Sequence, residues 1–416
     1  MKRYDEYKDS GVEWIGEVPR HWEVVRTRYL CNLCTGNKDT INRVDDGKFP
    51  FYVRSPKVER INTYSFDGEA ILMAGDGVGA GKVFHYANGK FDYHQRVYNF
   101  HNFKKVIGRF FYYYITNNFR YIIEEGGAKN TVDSVRLYMI QNFLITVPPK
   151  EEQREIVFYL DKKCSEIDNV ISAQQKRIAL LQELKQSVIT HAVTKGLNPN
   201  VEMKDSGVEW IGKIPASWDV VHLKRILRER MQYGANEPAE SDDTTYPRYI
   251  RITDITANGE LRPETFKSLE PSKAKDYLLD KGDVLFARSG ATVGKTFLFN
   301  ADIKACYAGY LIKASCDKRR MLPEYLYYYT QSGAYECWKN SVFIQSTIQN
   351  IGADKYQMMY IPVPSKDEQK QIVEYTMRKS QIFDAAISKA QHQVELLQEY
   401  KQSLITEVVT GKRKVS

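Results

Sequence analysis

The sequence predicts an α/β (α+β) protein in which two similar mixed domains are separated by two long antiparallel coiled-coil helices, with pseudo-twofold symmetry. Three observations support this prediction. The nonapeptide KDSGVEWIG occurs twice, at 8–16 and 204–212. After each copy, short apolar runs alternate with Gly, Asn and Asp, as in mixed helix and sheet domains. Each such stretch leads into a long segment without Gly or Pro whose apolar residues recur every three or four positions.

The repeated nonapeptide indicates duplication of a whole domain, because its period of about two hundred residues is far longer than a solenoid unit. The correspondence continues beyond it, since Pro19 matches Pro215 and Trp22 matches Trp218. Each copy joins a turn signal to apolar residues, Trp14 among them, that need a surface to pack against. We therefore expect each copy to act as a packing clamp between two domains rather than as a ligand site. We call the segment that carries each copy an anchor.

The predicted domain organisation follows from these repeats. It comprises, in chain order, an N-terminal anchor at 1–21, a first domain at 22–149, a long helix at 150–195, a linker with the second anchor at 196–217, a second domain at 218–364 and a second long helix at 365–416.

The two domains share their internal order. FYVR at 51–54 corresponds to RYIR at 248–251, and GVGAGKVF at 77–84 corresponds to GATVGKTF at 290–297. Between these landmarks the second domain carries a longer stretch, including 261–283, so we expect the domains to read different ligands. Each domain also carries a tyrosine-rich helix, expected at 106–121 in the first and at 322–333 in the second. The spacing of these tyrosines favours a core face over a base-stacking surface.

The long helices share the motifs LLQELKQS at 180–187 and LLQEYKQS at 396–403. Each begins after a proline with an acidic first turn, which suits the helix dipole. A helix this long with one apolar stripe needs a partner helix, and the other copy can supply it. Because each helix follows its own domain, we expect antiparallel pairing. The same symmetry predicts that residues 8–16 lie near 405–412.

Composition excludes several classes of protein. The 416 residues carry a formal net charge of +8, and an excess of positive charge fits an anionic partner. Six unevenly spaced cysteines indicate reduced thiols and a cytoplasmic location. Cys31 and Cys34 form a lone CxxC whose second copy has Leu227 and Arg230, so no metal site is expected. Neither a signal peptide nor a membrane span of about 20 apolar residues is expected.

Chemistry-bearing motifs point away from catalysis. GAGK at 79–82 and VGKT at 293–296 are similar to a phosphate-binding loop, but Asp76 and Ser289 stand where the first Gly is needed. A strand, a Gly-rich turn and a second strand are the simpler interpretation. Glu183 and Lys185, repeated as Glu399 and Lys401, have the spacing of a metal-dependent nuclease motif, but they lie on the long helices and are explained as surface charge. With no GxSxG elbow and no dinucleotide fingerprint either, we expect no catalytic residues, no metal site and no cofactor on this chain.

The motifs together resemble a known family. KDSGVEWIGEVPRHWEV at 8–24, its copy at 204–220, and the elements PPKEEQREIV and LLQELKQSVIT are similar to regions shared by the specificity subunits of Type I restriction-modification systems. The resemblance implies that the two domains are target-recognition domains for double-stranded DNA, each reading half of a bipartite asymmetric site. It also implies that the helices fix the gap between the half-sites and dock two modification (methyltransferase) subunits.

The same resemblance implies which chemistry the partners supply. S-adenosylmethionine is expected on the modification subunit, and ATP and Mg are expected on the restriction (translocase and nuclease) subunits. The sequence contains neither NPPY nor DPPY, which agrees with a chain that chooses the DNA site without modifying it. Two other functions remain open from the residues, namely a stand-alone DNA-binding regulator and a coiled-coil scaffold without nucleic acid.

Candidate DNA-binding residues lie mostly in or next to the landmarks that the two domains share, on turns that a scaffold can hold. They are expected to contact phosphates or base edges, although several of them could simply be solvated surface. The candidates are Arg54, Lys57, Lys82, Arg96, Lys129, Asn130 and Thr131 in the first domain, and Arg251, Thr253, Arg288, Ser289, Lys295, Gln345, Ser346 and Thr347 in the second.

Overall fold

The computed structural model describes residues 2–125, 134–256, 259–344 and 350–415. The chain divides into two compact units. The first unit consists of Met1–Gln174 together with His392–Ser416, and the second consists of Gln175–Gln391.

The elements of the first repeat alternate short strands with helices and end in the first long helix. They are β1 (Tyr7–Asp9), β2 (Glu17–Pro19), β3 (Glu23–Arg26), β4 (Asn32–Thr35), β5 (Phe49–Tyr52), β6 (Glu59–Ile61), β7 (Phe66–Ala74), β8 (Phe84–Tyr93), β9 (Val97–His101), α1 (Gly108–Asn118), α2 (Arg120–Glu125), α3 (Leu137–Asn142), β10 (Leu144–Val147) and α4 (Lys150–Lys195).

The elements of the second repeat follow the same plan. They are β11 (Met203–Asp205), β12 (Lys213–Pro215), β13 (Asp219–His222), β14 (Gln232–Tyr233), β15 (Arg248–Ile250), α5 (Pro271–Ala274), β16 (Asp283–Ala287), β17 (Thr296–Phe299), β18 (Ala305–Tyr307), β19 (Leu311–Ala314), α6 (Pro323–Tyr329), α7 (Gly333–Ile344), α8 (Ala353–Gln357), β20 (Tyr360–Val363) and α9 (Lys366–Val409).

The main sheet of the first unit has the strand order β4-β9-β7-β8-β5-β6 among the described residues. The central strand β7 is buried on both faces. Ile71 and Met73 join the core that contains α1, whereas Ala70 and Leu72 join a separate cluster with Phe91. Successive side chains of a strand point to opposite faces, so a strand covered on both sides is continuously apolar.

The main sheet of the second unit has the order β14-β19-β16-β17 among the described residues. Its strand β16 is likewise buried on both faces. The tyrosine-rich helices supply core side chains, as predicted. Tyr114, Tyr325 and Tyr329 are fully buried, and each hydroxyl donates to a backbone carbonyl. These three rings are therefore not available to stack on bases.

Each anchor is a short antiparallel hairpin, β1 with β2 and β11 with β12. Trp22 and Trp218 are completely buried beside their hairpins. The indole Nε1 of Trp22 donates to Glu152 at 3.1 Å, and that of Trp218 donates to Glu368 at 3.2 Å. Both acceptors lie in the first turn of a long helix. Each anchor therefore packs beside a tryptophan that holds its domain to a helix start. It is a packing element, as predicted, but the partner shown by these bonds is a long helix rather than a second domain.

The end of α9 closes onto the first anchor. The hydroxyl of Tyr7 donates to the Gly411 carbonyl at 3.1 Å, and Thr146 Oγ1 donates to the Val409 carbonyl at 2.6 Å. Gly411 also packs directly on Pro19 and Trp22. Tyr7 and Pro19 flank residues 8–16 on either side, so their contacts with Gly411 place that segment near 405–412, as the symmetry predicted.

The two long helices pair in antiparallel fashion in the first unit, as predicted. Thr146, just before the start of α4, contacts Val409 at the end of α9. Asp168, further along α4, binds Lys401 Nζ, which lies earlier in α9, at 2.7 Å, so the two helices run in opposite directions. In the second unit Lys185 Nζ binds Asp384 at 2.7 Å. A shift of 216 residues relates these two ion pairs. Lys185 and Lys401 are therefore interhelix contacts, which corrects their interpretation as helix surface.

A buried glutamine fixes the start of each long helix. Gln153 is fully buried, accepts the backbone N–H of Ile107 at 2.7 Å, and donates to the carbonyls of Lys105 at 3.1 Å and Pro148 at 2.8 Å. Gln369 repeats the arrangement in the second unit. Every polar atom of these amides is satisfied, so each glutamine ties the helix to the loop before α1 or α6.

Across the described ranges, none of the helices is long and apolar enough to cross a membrane.

Candidate nucleic-acid interface

A Gly-rich turn joins β7 to β8 in the first domain. Gly75 N donates to the Arg96 carbonyl at 2.9 Å, and Gly81 N donates to the Ala74 carbonyl at 2.9 Å. A Cβ on Gly79 would lie 2.7 Å from the Arg54 carbonyl oxygen, so only glycine permits this close approach. The turn is the predicted strand, tight turn and strand. A backbone hydrogen bond ties it to Arg96, and Gly79 packs closely against the Arg54 carbonyl.

Two of the candidate arginines converge on one carboxylate beside this turn. Arg54 Nη1 lies 2.8 Å from Asp76 Oδ1, and Arg96 Nη1 lies 2.8 Å from Asp76 Oδ2. The Asp76 side chain is 14% exposed, whereas those of Arg54 and Arg96 are 44% and 62% exposed. The acid therefore lies beneath two cations that face solvent. Asp76 was not among the sequence candidates.

The imidazole of His94 is buried close to the two arginines. Its Nδ1 accepts the backbone N–H of Arg96 at 3.0 Å. Burial lowers the pKa of His94 below its usual range, and the nearby charge of Arg54 lowers that pKa further. A neutral ring keeps the lone pair on Nδ1 that this hydrogen bond requires.

The two lysine candidates of this domain are placed differently. Lys82 is exposed on the Gly-rich turn. The Lys57 side chain is 76% exposed, and its Nζ lies 3.6 Å from Glu59 Oε1, so it pairs with the first residue of β6. The structure thus brings Arg54 and Arg96 together beside the turn that carries Lys82, and does not add Lys57 to that cluster.

The second domain repeats the backbone of this turn with different side chains. Arg288 N donates to the Tyr310 carbonyl at 3.0 Å, as Gly75 N does to Arg96. Gly294 N donates to the Ala287 carbonyl at 2.9 Å, as Gly81 N does to Ala74.

Isolated bridges complete this correspondence, since Asp76 bridges to Ser134 and Ser289 bridges to Asn350. Ser289 therefore occupies the position of Asp76, and Tyr310 occupies that of Arg96.

The arginine candidates of the second domain have distinct environments. The Arg288 guanidinium lies 4.8 Å from the centre of the Tyr233 ring, a cation–π distance. Arg251 donates to both oxygens of Asp254, at 2.7 and 3.0 Å, and to the Thr265 carbonyl at 2.8 Å. Its donors are largely engaged inside the domain, so Arg251 holds its own loop in place.

Thr253 and Lys295 line a common cleft of about 740 Å³ in the second unit. Tyr327, Lys339 and Arg262 line the same cleft. Lys339 is paired with Glu336, whereas Lys295 is exposed at the end of the Gly-rich turn. The remaining candidates, Lys129, Asn130, Thr131, Gln345, Ser346 and Thr347, lie outside the described residues.

No group of three or more His, Cys, Asp or Glu side chains within the described ranges could hold a metal ion. In the CxxC, Cys31 is buried and Cys34 is exposed, and both are free thiols. Burial raises the pKa of Cys31 to about 12, which keeps it protonated and a poor metal ligand.

Comparison with known proteins identifies the family. The family model of the Type I restriction modification DNA specificity domain matches residues 19–180 and 215–395. The Type I restriction enzyme EcoDI specificity subunit of Escherichia coli is 22% identical over 375 residues, covering 86% of this chain and 81% of that protein. The Type I restriction enzyme MjaVIII specificity subunit of Methanocaldococcus jannaschii is 23% identical over 419 residues, covering 96% of this chain and 94% of that protein.

A solved structure shows the same fold. It comes from a study of complex assembly and conformational transition of the type I R-M system. Its chain aligns with a TM-score of 0.68 at 16% identity, and the alignment covers 94% of this chain and 98% of that chain. The family model matches once in each repeat and covers well over half of the residues. The chain therefore belongs to the family of Type I restriction-modification DNA specificity subunits, and its function is DNA specificity.

Proposed function

We propose that the chain reads a bipartite, asymmetric site in double-stranded DNA, with residues 22–149 as the first recognition domain and 218–364 as the second. The observation that carries this proposal is the duplicated turn, whose backbone hydrogen bonds are the same in both domains while its side chains differ. A common scaffold with different exposed groups suits two domains that read different sequences. A stand-alone regulator is not favoured, because family membership points to a subunit of a larger complex.

The long helices are proposed to set the number of base pairs between the half-sites. Helix α4 has 46 residues and α9 has 44, and neither contains Gly or Pro. The ion pairs Lys401–Asp168 and Lys185–Asp384 oppose sliding of one helix along the other, because a slip would separate both pairs. A fixed register is what a spacer of defined length requires.

The helices also carry matched apolar surface. Leu180 and Leu184 are exposed on α4, and Leu396 and Tyr400 are exposed at the equivalent positions of α9. Residues four apart lie on one face of a helix, so each pair forms a small apolar patch. Two equivalent patches support the proposal that two modification subunits dock, one on each.

The chemistry is assigned to those partners. We propose that this chain performs no catalysis and acts in the cytoplasm. S-adenosylmethionine would be bound by the modification subunits, and ATP and Mg by restriction subunits. On this chain, Lys and Arg side chains would contact phosphates and set the register, so DNA binding should weaken as salt rises.

Exchange of a recognition domain tests this proposal. Residues 22–147 are replaced by the corresponding domain of a related subunit, and methylated bases are sequenced in a host that also produces the modification partner. One half-site should change while the other half-site and the gap stay the same. The reciprocal exchange of the second domain is the matched control. A change in both half-sites from one exchange would contradict the two-domain assignment.

A further inference from the structure

Arg54, Asp76 and Arg96, which we call the Arg–Asp–Arg triad, join three separate segments of the first recognition domain. Arg54 follows β5, Asp76 follows β7 and Arg96 precedes β9. One carboxylate binds both guanidinium groups, each through Nη1 at 2.8 Å. Among the described residues, neither guanidinium has another hydrogen bond. Within the described ranges, the Nε and Nη2 donors of both arginines thus have no hydrogen-bond partner.

Stability does not explain this arrangement. Both arginine side chains are more than two fifths exposed, and ion pairs in such positions contribute little to folding because water screens them. The second domain shows that the turn does not need the acid. Ser289 stands at the position of Asp76, and the backbone bonds of the turn are kept. The carboxylate therefore acts on the two arginines rather than on the fold of the loop.

The exposed edge of the triad suits one partner chemistry. Arginine presents two parallel N–H donors, and the major-groove edge of guanine presents two acceptors, O6 and N7, at matching separation. A carboxylate that holds the far side of each guanidinium removes rotamer freedom before binding, which lowers the entropic cost of the contact. Val78, at the tip of the adjacent turn, is 90% exposed and extends the same surface with an apolar group.

We propose that Arg54 and Arg96 read guanine in the first half-site, and that Asp76 is the positioning residue that holds both guanidinium groups for this task. This inference rests on the proposed function of the first recognition domain. Tyr310 and Ser289 replace Arg96 and Asp76 in the second domain. That domain therefore reads its half-site by different contacts.

The test uses Asp76→Asn in the full chain, produced with its modification partner, followed by sequencing of methylated bases. The amide keeps the shape of the side chain and removes the charge that holds the arginines. Positions occupied by guanine in the first half-site should become degenerate, with discrimination falling about tenfold or more, while the second half-site is unchanged. Glu23→Gln, which breaks an exposed ion pair with Lys105 in the same domain, is the control and should leave the motif intact.

Arg54→Lys and Arg96→Lys keep the test decisive where Asp76→Asn fails to assemble. Lysine retains the charge but cannot form the paired hydrogen bonds, so each variant should relax one guanine position. Misfolding would reduce methylation everywhere, whereas the proposal requires relaxation in one half-site. An unaltered motif in both lysine variants, or relaxation at a position without guanine, would overturn it. The domain exchange separately tests the proposed function, which stands if that exchange alters one half-site only.

Discussion

Replacement of Gln153 should weaken the first unit by a predictable amount. Gln153→Met keeps a side chain of similar length and removes three hydrogen bonds, to Ile107 N, Lys105 O and Pro148 O. The glutamine is fully buried, so water does not readily replace it. An orphaned buried backbone group costs about 1–3 kcal/mol, so three such groups should cost at least about 3 kcal/mol.

This loss translates into a measurable melting temperature. For a unit of about 200 residues, a loss of 1 kcal/mol lowers Tm by about 2–4 °C. The Tm of the first unit should therefore fall by about 6–12 °C. The assay is thermal unfolding of the purified chain, with hydrogen exchange to show which unit opens. Gln369→Met should destabilise the second unit by a similar amount, because its three bonds are equivalent.

Gln182→Met, exposed on α4, is the matched control and should shift Tm by less than about 2 °C. A similarly small shift for Gln153→Met would refute the reasoning that the buried amide holds the helix start.

Three further predictions concern the helices, the closure and pH. Asp168→Lys should destabilise the helix pair, and adding Lys401→Asp should restore its stability. A double-mutant cycle should give a coupling energy of about 0.5–1 kcal/mol, and a coupling energy of zero would exclude the ion pair. Gly411→Ala should lower Tm more than Gly11→Ala, since both glycines have φ near +75° but only Gly411 packs against a proline ring. Burial, and then the charge of Arg54, lower the pKa of His94, so as pH falls the unfolded chain takes up the proton first and stability drops below about pH 6.5. His94→Asn should flatten this drop in unfolding free energy measured against pH, and equal slopes for the variant and the original chain would contradict the reasoning.

The fold class followed from the sequence because its signals are periodic and repeated. The nonapeptide showed the duplication, and the spacing of apolar residues showed the long helices, whose antiparallel pairing is confirmed by contacts such as Lys401 with Asp168. The burial of Tyr114 and Tyr325 also agreed with expectation. These features depend on local pattern and on the need of an apolar face for cover.

The site was harder to predict because it depends on pairing between distant segments. Asp76 is about twenty residues from both Arg54 and Arg96, and only the pairing of β7 with β9 and the position of β5 bring them together. By contrast, Arg251 and its partner Asp254 are only three residues apart, so this ion pair depends on local structure alone. The DNA-binding role of the candidate residues as a set remains a prediction.

The first unit is assembled from two stretches that are far apart in the chain, whereas the second is continuous. Leu404, Ile405 and Val408 of α9 belong to the same core as residues of β7 and α1. During synthesis, residues 175–391 can therefore complete the second unit while the core of the first unit still lacks the side chains of α9. Long-range contacts of this kind slow folding and leave apolar surface exposed in the meantime. The unit whose synthesis begins first is thus the second to be completed.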